Sequence, residues 1–172
     1  MSKSKFLGFA LAAFALSACM SSPAPEDYDG PIATVADTTA KGGSGGVDFF
    51  FVEKIDGRKV RTSLAATAQA NEGMGFSMRP VVLDHAVPAE GAITVTITGR
   101  THYGAPIQEL TNTIYQVSGD VTFTPVRNRV YDVKGYLREN RSAVWIEDNV
   151  TGAVVGHKIE IKGSAALGFF GK

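Results

Sequence analysis

Gly75-Phe76-Ser77-Met78-Arg79 begins like the nucleophile elbow of a serine hydrolase, with Asp84-His85 a little further on. The elbow needs a second glycine where Arg79 stands, and a strand-to-helix turn in an α/β sheet. A triad is defined by spatial geometry, which the adjacency of Asp84 and His85 does not supply. For metals, the histidines His85, His102 and His157 lie far apart with no zinc-protease spacing. Thioether plus imidazole suits copper(I), which makes Met74, Met78, His85 and His102 the candidate set. Two methionines in a glycine-containing loop are more often packing, so no resident metal or other cofactor is expected. Glu147-Asp148-Asn149 lacks the spacing and glycine of a calcium loop. Asp84 and Glu90 could pair for glycoside chemistry, but they flank a turn, where acids are ordinarily solvated. The expectation is a protein that is not an enzyme, with no catalytic residue.

Two aromatic features bear on binding instead. Trp145 faces opposite to Val144 and Ile146 on an extended segment. With those two in the core it lies on the outer face and could anchor a partner; in a strand buried on both sides it is core, and the sequence leaves both open. The tail LGFFGK follows the last strand and is expected to tuck over a sheet edge rather than dock elsewhere. His157 falls among alternating apolar residues and is expected as a core histidine.

The single cysteine, Cys19, follows Lys3, Lys5, an apolar run of about 11 residues from Phe6 to Leu16, and small residues. That run is too short to span a membrane, which takes roughly 20 residues, and the layout is that of a secretory signal peptide. Leu16-Ser17-Ala18-Cys19 resembles the lipobox of bacterial lipoproteins. The resemblance implies cleavage after Ala18 and a diacylglycerol on the Cys19 sulfur, with further acylation such as palmitate on the freed amine. Two or more chains make attachment stable where one does not. In Gram-negative lipoproteins an aspartate after the cysteine signals inner-membrane retention; Met20 stands there, so the resemblance implies the periplasmic face of the outer membrane.

Removing residues 1–18 takes Lys3 and Lys5 from the 17 basic residues, leaving 15 against 17 acidic ones. Such a balance gives no electrostatic case for nucleic acid. With no second cysteine there is no intrachain disulfide, so a hydrophobic core must supply the stability. Residues 19–46, rich in Ser, Pro, Thr, Ala and Gly, read as a lipidated terminus and disordered tether spanning roughly 30 Å. Gly42-Gly43-Ser44-Gly45-Gly46 reads as a flexible hinge within it, not as a phosphate loop.

From Val47 the text becomes β-like. VDFFFVEKI leads to the turn signal Asp56-Gly57, and FSMRPVVLDHAVP is extended but broken by Pro80, at an edge or bend. AITVTITGRTHY alternates apolar and threonine residues. TIYQVSGDVTF, VYDVKGYL, SAVWIED and AVVGHKIEIK follow, with Gly135 marking a bulge or close backbone approach. Short helical turns are expected at Leu64–Ala70 and Ile107–Thr111. Seven to eight strands over residues 47–163, with a tail at 164–172, predict an all-β class and a small sandwich. FVEKIDGRKV, VPAEGAITVTITG and VTFTPVRNRVYDVKGYL resemble prealbumin-like or PEGA-like lipoprotein domains, which implies a sandwich of prealbumin or immunoglobulin type with a binding or structural role. The expected function is therefore a non-enzymatic, lipid-anchored module of the cell envelope that binds an envelope protein or glycan. The alternative is a periplasmic small-ligand or copper-binding protein.

Overall fold

The computed structural model describes residues 28–75, 77–168 and 171. The leader and Cys19 lie outside them, as do Phe76, Phe169 and Phe170. Ten strands among the described residues form two sheets of an all-β sandwich, somewhat more than the alternation marks. One sheet contains β1 (Ile32–Ala36), β5 (Asp84–Pro88), β8 (Val130–Tyr136), β9 (Arg141–Asp148) and β10 (Val154–Lys162), in the order β10-β9-β8-β1-β5. The other contains β2 (Thr38–Lys41), β3 (Val47–Ile55), β6 (Ile93–His102) and β7 (Gln116–Phe123) in that order, with the short β4 (Arg58–Lys59) folded onto β3. Alternate residues of the facing strands interlock as a sandwich core must: Phe50, Val52, Val95, Ile97 and Val121 meet Val35, Val133 and Ile146, all buried. Gly135 is the close approach expected of it. A Cβ there would sit 2.4 Å from the Phe50 ring and 2.5 Å from the Ala143 carbonyl.

The tether assignment fails from Ile32 onward. Ala33 and Val35 enter the core, and β1 pairs in parallel with β8 and antiparallel with β5. Ile-Ala-Thr-Val-Ala is too short and too weakly apolar to announce a strand. Its burial comes from two neighbours far along the chain. The domain thus starts at β1 rather than at Val47, and Asp37 is the corner at which the chain passes from one sheet to the other. Gly42–Gly46 is a closed loop between β2 and β3, held by Gly42 N–H to Gly46 O and Gly46 N–H to Gly43 O, each 3.0 Å. Gly46 packs on the Tyr103 ring, where a Cβ would stand 2.9 Å from Cε1.

His157 is also misplaced by simple alternation. Val155 pairs with Ile146 and Ile159 with Val144, so three residues of β10 oppose Trp145 alone. The bulge, with Gly156 at φ 65°, turns His157 to solvent.

The helical turns fall where expected, at α1 (Ser63–Ala70) and α2 (Pro106–Thr111). One face of α1, continued by its capping residue, carries Ser63, Thr67 and Asn71, four residues apart. Leu83 N–H donates to Ser63 Oγ (2.9 Å), Val81 N–H to Thr67 Oγ1 (2.8 Å) and Arg79 N–H to Asn71 Oδ1 (2.7 Å). Four helical residues rise about 6 Å and two extended residues about 6.6 Å, so the two repeats stay in step. The stretch around Pro80 is therefore zipped to helix side chains instead of to a strand, and β5 begins only at Asp84, on the sheet edge.

Candidate functional site

The sandwich has two unlike ends. The chain joins it at the end formed by Ile32, the Asp56-Gly57 turn and the loops at 89–92, 124–129 and 149–153. The other end carries the 42–46 loop, α2 with its flanks, and residues 137–140. Two clefts of about 380 and 370 Å³ open there.

The first cleft lies between the C-terminal end of α1 and α2. Thr67, Asn71, Glu72 and Met78 form one wall; His102, Tyr103, Pro106 and Glu109 form the other. The His102 ring is held at Nδ1 by the Glu109 carboxylate, and it rests edge-on against Phe49, 6.2 Å between centroids. Met78 and His102 are thus the two members of the copper set that share a cleft. Met74 is 40% exposed and His85 is sealed in the interior. Among the described residues no group of three or more His, Cys, Asp or Glu side chains is arranged to hold a metal ion.

The second cleft is polar and centres on Asp48, walled by Thr101, Tyr103, Asn112, Tyr115, Arg138 and Glu139. Asp48 is the one acidic position amid the buried aromatic run of β3. Thr101 Oγ1 donates to its Oδ1 at 2.7 Å. Burial raises the Asp48 carboxyl above the ordinary range, a rise that the Thr101 hydrogen bond and the Arg138 guanidinium only partly offset. Tyr103 divides the clefts; its hydroxyl donates to Thr113 O at 3.2 Å, and burial followed by the nearby Asp48 charge raises its phenol. A carboxyl, a guanidinium and two phenolic walls together suit a polar ligand with several hydrogen-bonding groups, such as a glycan or peptide. Sequence reasoning passed over Asp48, although an aspartate in second place in VDFFFV was the available signal.

Asp37, Ser63 and His85 make a third cluster, and its chemistry is structural. Ser63 Oγ donates to Asp37 Oδ2 at 2.5 Å and Val52 N–H to Asp37 Oδ1 at 2.9 Å. His85 Nε2 stands 3.2 Å from Asp37 Oδ1, without the alignment of a hydrogen bond. A triad orders its members serine to histidine to carboxylate. Here the carboxylate sits between the other two, and all three side chains are buried. Ser77 lies exposed in the loop after Gly75, so neither serine can be a nucleophile activated by His85. Asp84 and Glu90 are both exposed at opposite ends of β5.

Val144 and Ile146 are fully buried, which puts Trp145 half-buried on the outer face. Its Nε1–H donates to Glu147 at 2.9 Å, Lys158 Nζ stands 3.9 Å from its ring centroid, and Tyr136 meets it edge-on. These local partners hold the ring in place and leave part of it exposed. The first part of the tail, residues 164–168, lies along the edge beside β7: Leu167 N–H donates to Ile114 O (2.8 Å) and Gln116 N–H to Ala165 O (2.9 Å). No protein family, curated protein or solved structure matches this chain, so every role assigned to a residue rests on its own geometry.

Proposed function

We propose that this chain is a lipid-anchored protein of the cell envelope that binds a polar partner, a glycan or peptide segment, at the clefted end of its sandwich, without catalysis. The observation that carries this is the pair of adjoining clefts that share Tyr103, placed opposite the end where the chain joins the domain. Cys19 in Leu16-Ser17-Ala18-Cys19 supports the anchor. Met20–Pro31 can reach no more than about 40 Å when fully extended, and it joins the domain at the end opposite the clefts, so the clefted end is the one further from the attachment point.

The test is in-cell photocrosslinking from Glu139, at the Asp48 cleft, and from Trp145, with palmitate labelling of the same strains. Acyl label should vanish in Cys19→Ser, and an envelope component should be captured from Glu139 only when Cys19 is intact. Persistent label in Cys19→Ser, or capture from Glu139 no greater than from Trp145, would count against it. Met78 and His102 sharing a cleft supports a second reading, copper(I) or small-ligand binding. A copper(I) titration showing nothing tighter than about micromolar removes it.

A further inference from the structure

Of the large apolar side chains exposed among the described residues, Ile32, Val126, Val130, Val150 and Val154 gather at the end where the chain joins the domain. Their neighbourhood is fixed by backbone pairing. Asn128 N–H donates to Ile32 O, Asn149 N–H to Val130 O and Thr34 N–H to Arg129 O. The two loops are tied together by Arg129 Nη1, 3.2 and 3.3 Å from the Asp148 carboxylate oxygens.

Val150 is the most exposed of the five, at 75%. It sits in a tight turn where Asp148 Oδ1 accepts from both Val150 N–H (3.0 Å) and Thr151 N–H (2.9 Å), and Gly152 N–H closes on Asp148 O (2.8 Å). Turn geometry asks for Asp and Gly at its ends, and gives no reason for a β-branched apolar residue at the tip. Val126 stands likewise at the start of a turn closed by Arg129 N–H onto its carbonyl (3.1 Å). Rigid turns thus hold two valines out in water beside Ile32, the residue through which the chain leaves toward Cys19.

We infer that this end is a lipid-docking surface: the valine turns and Ile32 seat in the interfacial layer of the membrane that Cys19 anchors to. The inference rests on the anchor reading. The short connection from Cys19 to Ile32 favours lipid as the occupant over a second protein, because it starts at this end, whereas the clefted end lies a strand's length of about 33 Å further from the attachment point. Exposed aliphatic side chains on a rigid frame insert with little ordering entropy to overcome.

The chain's only other cysteine would be the one introduced, so a probe can be placed cleanly. Full-length Val150→Cys, Val126→Cys and Glu139→Cys proteins, acylated and labelled with an environment-sensitive fluorophore, are reconstituted into phosphatidylethanolamine–phosphatidylglycerol vesicles containing brominated acyl chains. Quenching several-fold stronger at 150 and 126 than at 139 is expected. Equal quenching at all three sites overturns the docking. A blue shift at 150 without quenching also overturns it, in favour of a second copy or a protein partner. Reactivity of the wild-type thiol is measured in parallel. A free Cys19 thiol sinks the anchor and the docking with it, whereas an acylated chain with an unquenched residue 150 sinks the docking alone.

Discussion

At opposite ends of the sandwich, Asp48 and Asp148 expose nearly the same small fraction of their surface, 7% and 9%, but Asp48 lies deeper while Asp148 sits just beneath the surface, and their carboxyls move in opposite directions. Asp48, in the cleft, rises because burial outweighs one hydroxyl donor and a neighbouring guanidinium. Asp148, in the valine turn, falls: backbone N–H groups of Thr151 and Val150 and the Arg129 charge favour its ionised form more than burial opposes it. Surface exposure alone therefore says little about what a carboxylate is for; its depth and its supply of donors say more. A carboxylate saturated by its own turn builds structure. One with a single hydroxyl donor and a cleft beside it keeps acceptor capacity for another group.

Asp37 extends the comparison to its limit. It is buried at the corner between the sheets and meets Val52 N–H, Ser63 Oγ–H and His85. Asp37→Ala leaves those groups without a partner, and a loss of about 3–5 kcal/mol is expected in urea unfolding. A loss under about 1 kcal/mol would break the link between donor supply and structural role.

The cleft carboxyl should behave in the contrary way. A folded-state value raised above the unfolded one means that Asp48's favourable contribution is complete below the unfolded value and is lost as pH rises through the raised folded one. Stability of the wild type relative to Asp48→Asn should therefore decline over that interval, and Asp48→Asn should be at least as stable at neutral pH. Any partner captured from Glu139 should bind the Asn variant more weakly. Unfolding titrations of both proteins across the carboxylate range read this difference.

For Asp148 the sign reverses. Its folded value is depressed, so its contribution is present above the unfolded value and is lost as pH falls through the folded one. Asp148→Asn should remove part of the acid-side loss, a smaller effect because the group lies near solvent, and should speed protease nicking at residues 149–152. An unchanged acid limb would show that the turn is held by its backbone alone.

Much of the architecture is legible in local pattern. ITVTIT over Ile93–Thr98 could only be a strand with one apolar face, and its threonines do form the outer ladder, Thr94 with Thr122, Thr96 with Asp120 and Thr98 with Ser118. Gly135 and the two helical turns were legible for the same local reason. The site was hardly legible. Met78 and His102 were singled out, but with Met74 and His85, which the fold sends elsewhere, and Asp48 drew no notice because its meaning depends on Thr101 and Arg138. His157 was misread because a bulge shifts the period without leaving a composition signal beyond Gly156.

The sequence by itself determined the alternation of faces, the turns, the helix stretches and the unusual setting of Cys19, because each follows from covalent geometry or from side chains within a few residues of one another. The tertiary structure decided that Ile32–Ala36 is a core strand, that Asp37, Ser63 and His85 meet inside, and that clefts and exposed valines occupy opposite ends. Those outcomes depend on which distant strands pair and in what register. That choice minimises the free energy of the whole core and is written in no single segment.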